Sequence, residues 1–182
     1  MRIVLDTCVL FPTVMREMLL GAARLGHFTP LWSARILEEW ARAAVKLGPT
    51  GEMQARAEIA LVRVGWPKAE LLAAPGIEAR LWLPDVADLH VLAVAVSGSA
   101  DAIMTLNAKD FPRNLLAEQD IVRVDPDSFL HQVWQGDPAG MAMLGAHVLD
   151  EANRLSGRDW QIRPLLKKAR LPRLAKALGT MP

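Results

Sequence analysis

One cysteine among 182 residues leaves no internal disulfide to form. Stability must then come from packing, and the composition fits a reducing cytoplasm. The lone thiol, Cys8, has no histidine at a spacing that would make it a nucleophile, so it reads as a small packing residue. His27, His90, His131 and His147 show no metal-ligand spacing and read as ordinary surface or core histidines. Tyrosine is missing altogether, although six tryptophans are present. Trp40 and Trp134 sit at helical spacing and fit core or dimer packing, whereas Trp32, Trp66, Trp82 and Trp160 fall in or near expected loops. No apolar run approaches the roughly 18 residues that a membrane span needs. Asp6 interrupts the first apolar stretch, so no signal peptide is expected. Internal repeats and low-complexity segments are also missing.

What is present is a chain able to bury a core: 52% of residues are hydrophobic and 23% charged. That excludes a disordered chain and fits one globular domain with a small appendage. The net charge of +1 names no partner, but its distribution is uneven. Residues 1–153 carry 13 Lys/Arg against 19 Asp/Glu, whereas residues 154–182 carry 8 against 1. An acidic body with a basic end fits nucleic-acid binding, and it also fits a solvated basic helix.

Along the chain, apolar runs and helical stretches alternate. Arg2–Asp6 reads as a buried strand and Thr13–Leu25 as a helix stopped by Gly26. Phe28–Leu31 reads as a short strand, and Ser33 caps a helix over 34–47 that ends at Gly48-Pro49. Glu52–Val64 reads as a helix, Pro67–Ala73 as a short one, and Ile77–Leu83 as a strand ending at Pro84. Asp88–Ser97 is helical, Ala102–Leu106 and Ile121–Val124 are strands, and Asp125-Pro126 opens a helix through Trp134. The alternation predicts an α/β fold, a central parallel sheet flanked by helices over residues 1–135. Gly136-Asp137-Pro138 breaks the pattern, and residues 136–182 form a helical C-terminal extension with one helix over 139–155 and a kinked pair over 164–178.

The acids hold the chemistry. Asp6 ends an apolar strand, a costly place for a charge unless something compensates it. Glu38 and Glu39 lie on the helix with Ile36, Leu37, Trp40, Ala41 and Ala44. At about 100° per residue Glu39 falls at the edge of the apolar face and Glu38 nearer solvent. Asp88 opens a helix, where an acid also serves the dipole, and Asp85 adds a supporting carboxylate. Thr105 and Asn107 project near the carboxyl end of the 102–106 strand, and Asp110 lies in the turn beyond, as a ligand or a turn residue. Asp101 precedes its strand and reads as structural. In parallel sheets, sites form at the carboxyl ends of strands. Carboxylates gathered there repel unless protons or a cation neutralise them. Mg²⁺ and Mn²⁺ favour such oxygen ligands and activate water for attack on phosphate. Phosphodiester hydrolysis is the reaction class this predicts.

Four pieces in order carry a resemblance: Ile3-Val4-Leu5-Asp6-Thr7, Ile36-Leu37-Glu38-Glu39, the run from Pro84-Asp85 through Asp88-Leu89-His90 to Ala95, and Ala100 through Thr105-Leu106-Asn107 to Asp110-Phe111-Pro112. Over residues 1–130 the chain resembles the PIN-domain family of nucleases, most closely a VapC-like subgroup with a helical C-terminal extension. The resemblance implies Mg²⁺- or Mn²⁺-dependent cleavage, usually of RNA, with Asp6, Glu39 and Asp88 as the first three acids and metal ligands. Thr105 matches a polar residue near the attacking water. Many members carry an Asp where this chain has Asn107, so the fourth acid is either replaced by Asp110 or lost. Many bacterial members are toxins held by a small antitoxin protein, which makes such a protein a candidate partner. The apolar richness is compatible with a homodimer.

Arg163, Lys167, Lys168, Arg170 and Arg173 are the candidate contacts to a nucleic-acid backbone. A second reading keeps the PIN fold but makes it a catalytically weak RNA-binding or assembly protein. A phosphotransferase or phosphatase with Asp6 as nucleophile would want a second acid two residues on, where the chain has Cys8.

Overall fold

A computed structural model describes residues 1–180. The last two residues of the expected 136–182 extension, Met181 and Pro182, lie outside the described residues. In chain order the elements are β1 (Arg2–Leu5), α1 (Thr7–Leu10), α2 (Thr13–Arg24), β2 (Thr29–Ser33), α3 (Ala34–Ala44), α4 (Gly51–Gly65), β3 (Glu70–Leu71), α5 (Pro75–Glu78), α6 (Leu89–Ser97), β4 (Ala102–Met104), α7 (Arg113–Ala117), β5 (Val122–Val124), α8 (Pro126–Gly136), α9 (Pro138–Ser156), α10 (Ile162–Lys168) and α11 (Pro172–Leu178). Single turns of 3-10 helix add residues 45–47 and 86–88. The fold is α/β: a five-stranded, all-parallel sheet flanked by helices, with a helical C-terminal region.

Contacts divide the chain into two compact units. One holds residues 1–11 and 29–124; the other holds residues 12–28 and 125–180. The first contains the sheet, in the order β3-β2-β1-β4-β5. The central strands read Ile3-Val4-Leu5 and Ala102-Ile103-Met104 and are wholly buried. Parallel strands covered on both faces need such unbroken apolar runs. β1 pairs with β2 on one side and β4 on the other, with Leu5 opposite Met104. The strand order reverses between β1 and β4, and open α/β sheets bind ligands outside the carboxyl ends at such a point. Asp6 and Thr105 are the residues that leave the sheet there.

Two expected elements are corrected. Residues 77–83 form no strand; Pro75 opens α5 instead, and Arg80 Nε bonds back to the Gly76 carbonyl at 3.1 Å. That segment is mostly half-buried or exposed, so nothing draws it between two helical layers. Residues 67–73, expected as a helix, supply β3. Its backbone joins the sheet edge, with Trp32 N–H donating to Ala69 O at 3.0 Å and Trp32 and Ser33 opposite Glu70 and Leu71. Ladder pairing outweighed the weak helical preference of so short a segment. Trp32, unassigned from sequence, is a fully buried residue of β2.

The second unit packs α2 with the helices that follow residue 125. Gly21 of α2 has no side chain where Leu144 of α9 sits, and a Cβ there would collide with it. Phe28 and Phe129 meet edge to face at 5.3 Å, a favoured geometry for the ring quadrupoles. Asp127 is buried and caps α11, accepting from the Arg173 N–H at 2.9 Å and the Leu174 N–H at 3.1 Å. Its charge is stabilised by the free donors of that helix end. No helix among the described residues is long and apolar enough to cross a membrane.

Candidate metal centre

Asp6 ends β1 and is 7% exposed. Its backbone stays in register, its N–H donating to Met104 O at 3.1 Å, so the side chain projects from the carboxyl edge beside β4. Thr105, one residue past β4, donates its hydroxyl to Asp6 Oδ2 at 2.6 Å. The Cys8 thiol donates to the same oxygen at 3.0 Å and itself accepts from the Leu106 N–H at 3.2 Å. Burial, then the Asp6 charge, pushes the Cys8 thiol up to about 12. It is a neutral donor to a carboxylate, and the sequence assignment to packing understated it.

Asp88 comes from the turn that precedes α6. Asp85 shapes that turn, accepting from the Ala87 N–H at 2.9 Å. Asp110 lies beyond Asn107, whose side-chain amide donates to an Asp110 oxygen. Asn107 in turn is held by its own N–H, which donates to Thr105 Oγ1 at 2.9 Å. Carboxylate oxygens of Asp85, Asp88 and Asp110 lie within 4.8 Å of one another. Burial pushes the Asp88 carboxyl up to about 6, and the charges of Asp6, Asp85 and Asp110 push the same way, with His90 opposing. Among the described residues, none of these four acids has a Lys or Arg ion-pair partner. Uncompensated carboxylates in so small a space are what a hard divalent cation neutralises, so the donor set fits such an ion.

Glu39 lies outside that three-carboxylate group. Its Oε1 is 2.9 Å from His90 Nε2 and 3.5 Å from Arg35 Nε, and its Oε2 accepts from the Thr7 hydroxyl at 3.1 Å. Partial burial alone would raise the Glu39 carboxyl. His90 at 2.9 Å, the Thr7 hydroxyl and the Arg35 charge outweigh it and hold the group below the ordinary glutamate range. Arg35 also donates to the Ala87 carbonyl at 3.3 Å, tying α3 to the turn that holds Asp88. Glu38 belongs to the surface: bonds from Arg56 lower its carboxyl to about 2, with Arg42 adding to the effect. Asp101, as expected, lies at the far edge of the sheet, accepting from the Arg2 N–H at 2.6 Å.

Sequence reasoning undervalued Asp85 and missed His90, Thr7 and Arg35. His90 reads from sequence as an ordinary histidine because its neighbour, Glu39, comes from a different helix, α3. Arg163, Lys167, Lys168, Arg170 and Arg173 all lie exposed on α10, α11 and the turn between them. Arg173 differs from the rest in donating to Ser128 Oγ at 2.9 Å.

The structure defines an α/β protein with a parallel sheet and a cluster of acids whose oxygens lie close enough together to share one cation. A family model described as the PIN domain matches residues 2–109, and the chain belongs to that family, whose members are generally metal-dependent nucleases. No curated protein and no solved structure matches the chain.

Proposed function

We propose that the protein is an endoribonuclease that requires Mg²⁺ or Mn²⁺. The observation that carries this is the convergence of Asp85, Asp88 and Asp110 within 4.8 Å, with the charge of Asp6 acting on Asp88. Asp85, Asp88 and Asp110 hold the cation, with the Asp6 carboxylate beside Asp88. Thr105 orients Asp6, Asn107 orients Asp110, and Glu39 stands at the rim, steered by His90, Thr7 and Arg35. When bound, the ion supplies Lewis-acid activation of water and offsets charge on the scissile phosphate. The basic residues Arg163, Lys167, Lys168, Arg170 and Arg173 position the phosphate backbone without reading bases. Residues 1–135 form the nuclease domain and 136–182 its extension. A role as the toxin of a toxin–antitoxin pair, with a small protein inhibitor, and a homodimeric state belong to the same reading.

The test compares labelled single-stranded RNA and DNA of one sequence with Mn²⁺, with Mg²⁺ and with EDTA. Cation-dependent cleavage of RNA that is lost in Asp6→Asn and Asp88→Asn is the expected result. A protein that binds Mn²⁺ yet cuts neither strand overturns it. A second reading, an RNA-binding or assembly protein with weak catalysis, draws on two observations: Asn107 brings no charge, and Glu39 is already engaged by His90. Cation-independent RNA binding without cleavage would favour that second reading.

A further inference from the structure

We propose that Trp160 and the cations around it form a docking surface for an unpaired nucleobase and its adjoining phosphates. This deepens the nuclease reading, on which its biological sense rests, by giving a single-stranded substrate a place to land. Trp160 lies between α9 and α10. One side chain clamps its backbone from both sides: Asn153 Oδ1 accepts from the Trp160 N–H at 2.6 Å, and Asn153 Nδ2 donates to the Trp160 carbonyl at 3.2 Å. The residue is held in place while remaining only half-buried. Lys168 Nζ stands 5.0 Å from the indole centroid and the Arg158 guanidinium 5.8 Å from it.

Among the described residues, Arg158, Arg163, Lys167, Lys168 and Arg170 form no ion pair. Several exposed arginines elsewhere are paired, Arg42 and Arg56 with Glu38 and Arg63 with Glu70, whereas around Trp160 the unpaired cations are clustered. Residues 154–182 carry a single acid, Asp159. Unpaired cations that hold counterions favour a polyanion, because binding releases those ions. An acidic protein segment would satisfy the cations but offers nothing to the fixed indole face. A nucleobase matches that face, and stacking on an aromatic ring outweighs an exposed cation over the same ring. The displaced cation stays within reach of the adjoining phosphate.

Short labelled oligouridylate and the matching oligothymidylate test this by fluorescence anisotropy with full-length protein in EDTA. Trp160→Leu is expected to weaken oligouridylate binding roughly tenfold and Trp160→Phe to change it no more than about twofold. Equal weakening for both oligonucleotides assigns the surface to single strands of either sugar, and weakening confined to oligouridylate assigns it to RNA; both support the surface. Should Trp160→Leu fail to fold by circular dichroism, the Arg158→Glu/Lys168→Glu double variant takes its place, with the same loss expected and a shallower salt dependence. Binding that survives the substitution overturns the proposal. So does polyglutamate that binds as tightly with the same dependence on Trp160. Asp88→Asn protein keeps oligonucleotide binding on this account, so failure of the docking surface and failure of the nuclease reading give different results.

Discussion

The hydroxyl of Thr105 donates to Oδ2 of Asp6 across 2.6 Å, joining residues 99 positions apart in sequence. The bond exists because β1 and β4 are parallel neighbours with Leu5 opposite Met104, so the residue leaving each strand meets the other. It orients a buried carboxylate that would otherwise be poorly solvated. Thr105→Val keeps the shape and removes the donor. Leaving a buried acceptor short of a partner costs on the order of 1–3 kcal/mol, so the urea midpoint of the metal-free protein should fall accordingly. Thr105→Ser, which restores the hydroxyl, should recover most of that loss.

Asp88 gives the pH dependence a sign. Its folded carboxyl stands at about 6 against an ordinary 3.8, so the folded state holds its proton more tightly than the unfolded chain does. The stability this contributes is present below the ordinary value and is lost as pH rises through about 6. Thermal melts of metal-free protein should show melting temperature falling across that window, and Asp88→Asn should flatten the fall. Asp88 is only half-buried, which keeps the effect modest. Near pH 7.5 Mn²⁺ should raise the melting temperature of the unaltered protein and leave Asp88→Asn nearly unmoved.

Asn107 stands beside Asp110 where the resemblance would place an acid. Asn107→Asp replaces an amide donor by a second carboxylate facing the first. Two effects should follow together: lower stability without metal, from like-charge repulsion, and tighter Mn²⁺ binding, from the added ligand charge. Calorimetric Mn²⁺ titration alongside metal-free melts reads both. A variant that is less stable without metal and binds the ion no better would remove Asp110 from the cation site.

The Cys8 thiol, pushed up to about 12, holds its proton at any physiological pH. Thiolate is the reactive form, so folded protein should resist iodoacetamide at pH 8 and label stoichiometrically in denaturant. Fast labelling of the native protein would show that the contacts with Asp6 and Leu106 do not persist in solution.

Asp127→Ala removes the buried cap of α11 and leaves the Arg173 and Leu174 N–H groups without their acceptor. A lost helix cap costs about 0.5–2 kcal/mol, and the denaturant midpoint should drop by that order. Asp127→Asn, which keeps an acceptor oxygen, should cost less.

The amino-acid sequence by itself determined the parallel α/β class, because short apolar strands alternate with helices over residues 1–135, and strands joined through helices pair in parallel. It also marked the acids that matter, since a charge at the end of such a run is conspicuous, and it placed Asp101 at the opposite edge. Tertiary structure alone decided the rest. Residues 67–73 are too short for helical preference to outweigh backbone pairing at the sheet edge, so β3 appeared where a helix was expected, whereas residues 77–83 find no strand partner and form no strand. Which acids draw together depends on turn geometry, and the 3-10 turn at residues 86–88 brings Asp85 to Asp88 and Asp110 while His90 and Arg35 engage Glu39. Periodicity records which face a residue occupies; it holds no information on which distant side chain will be waiting there.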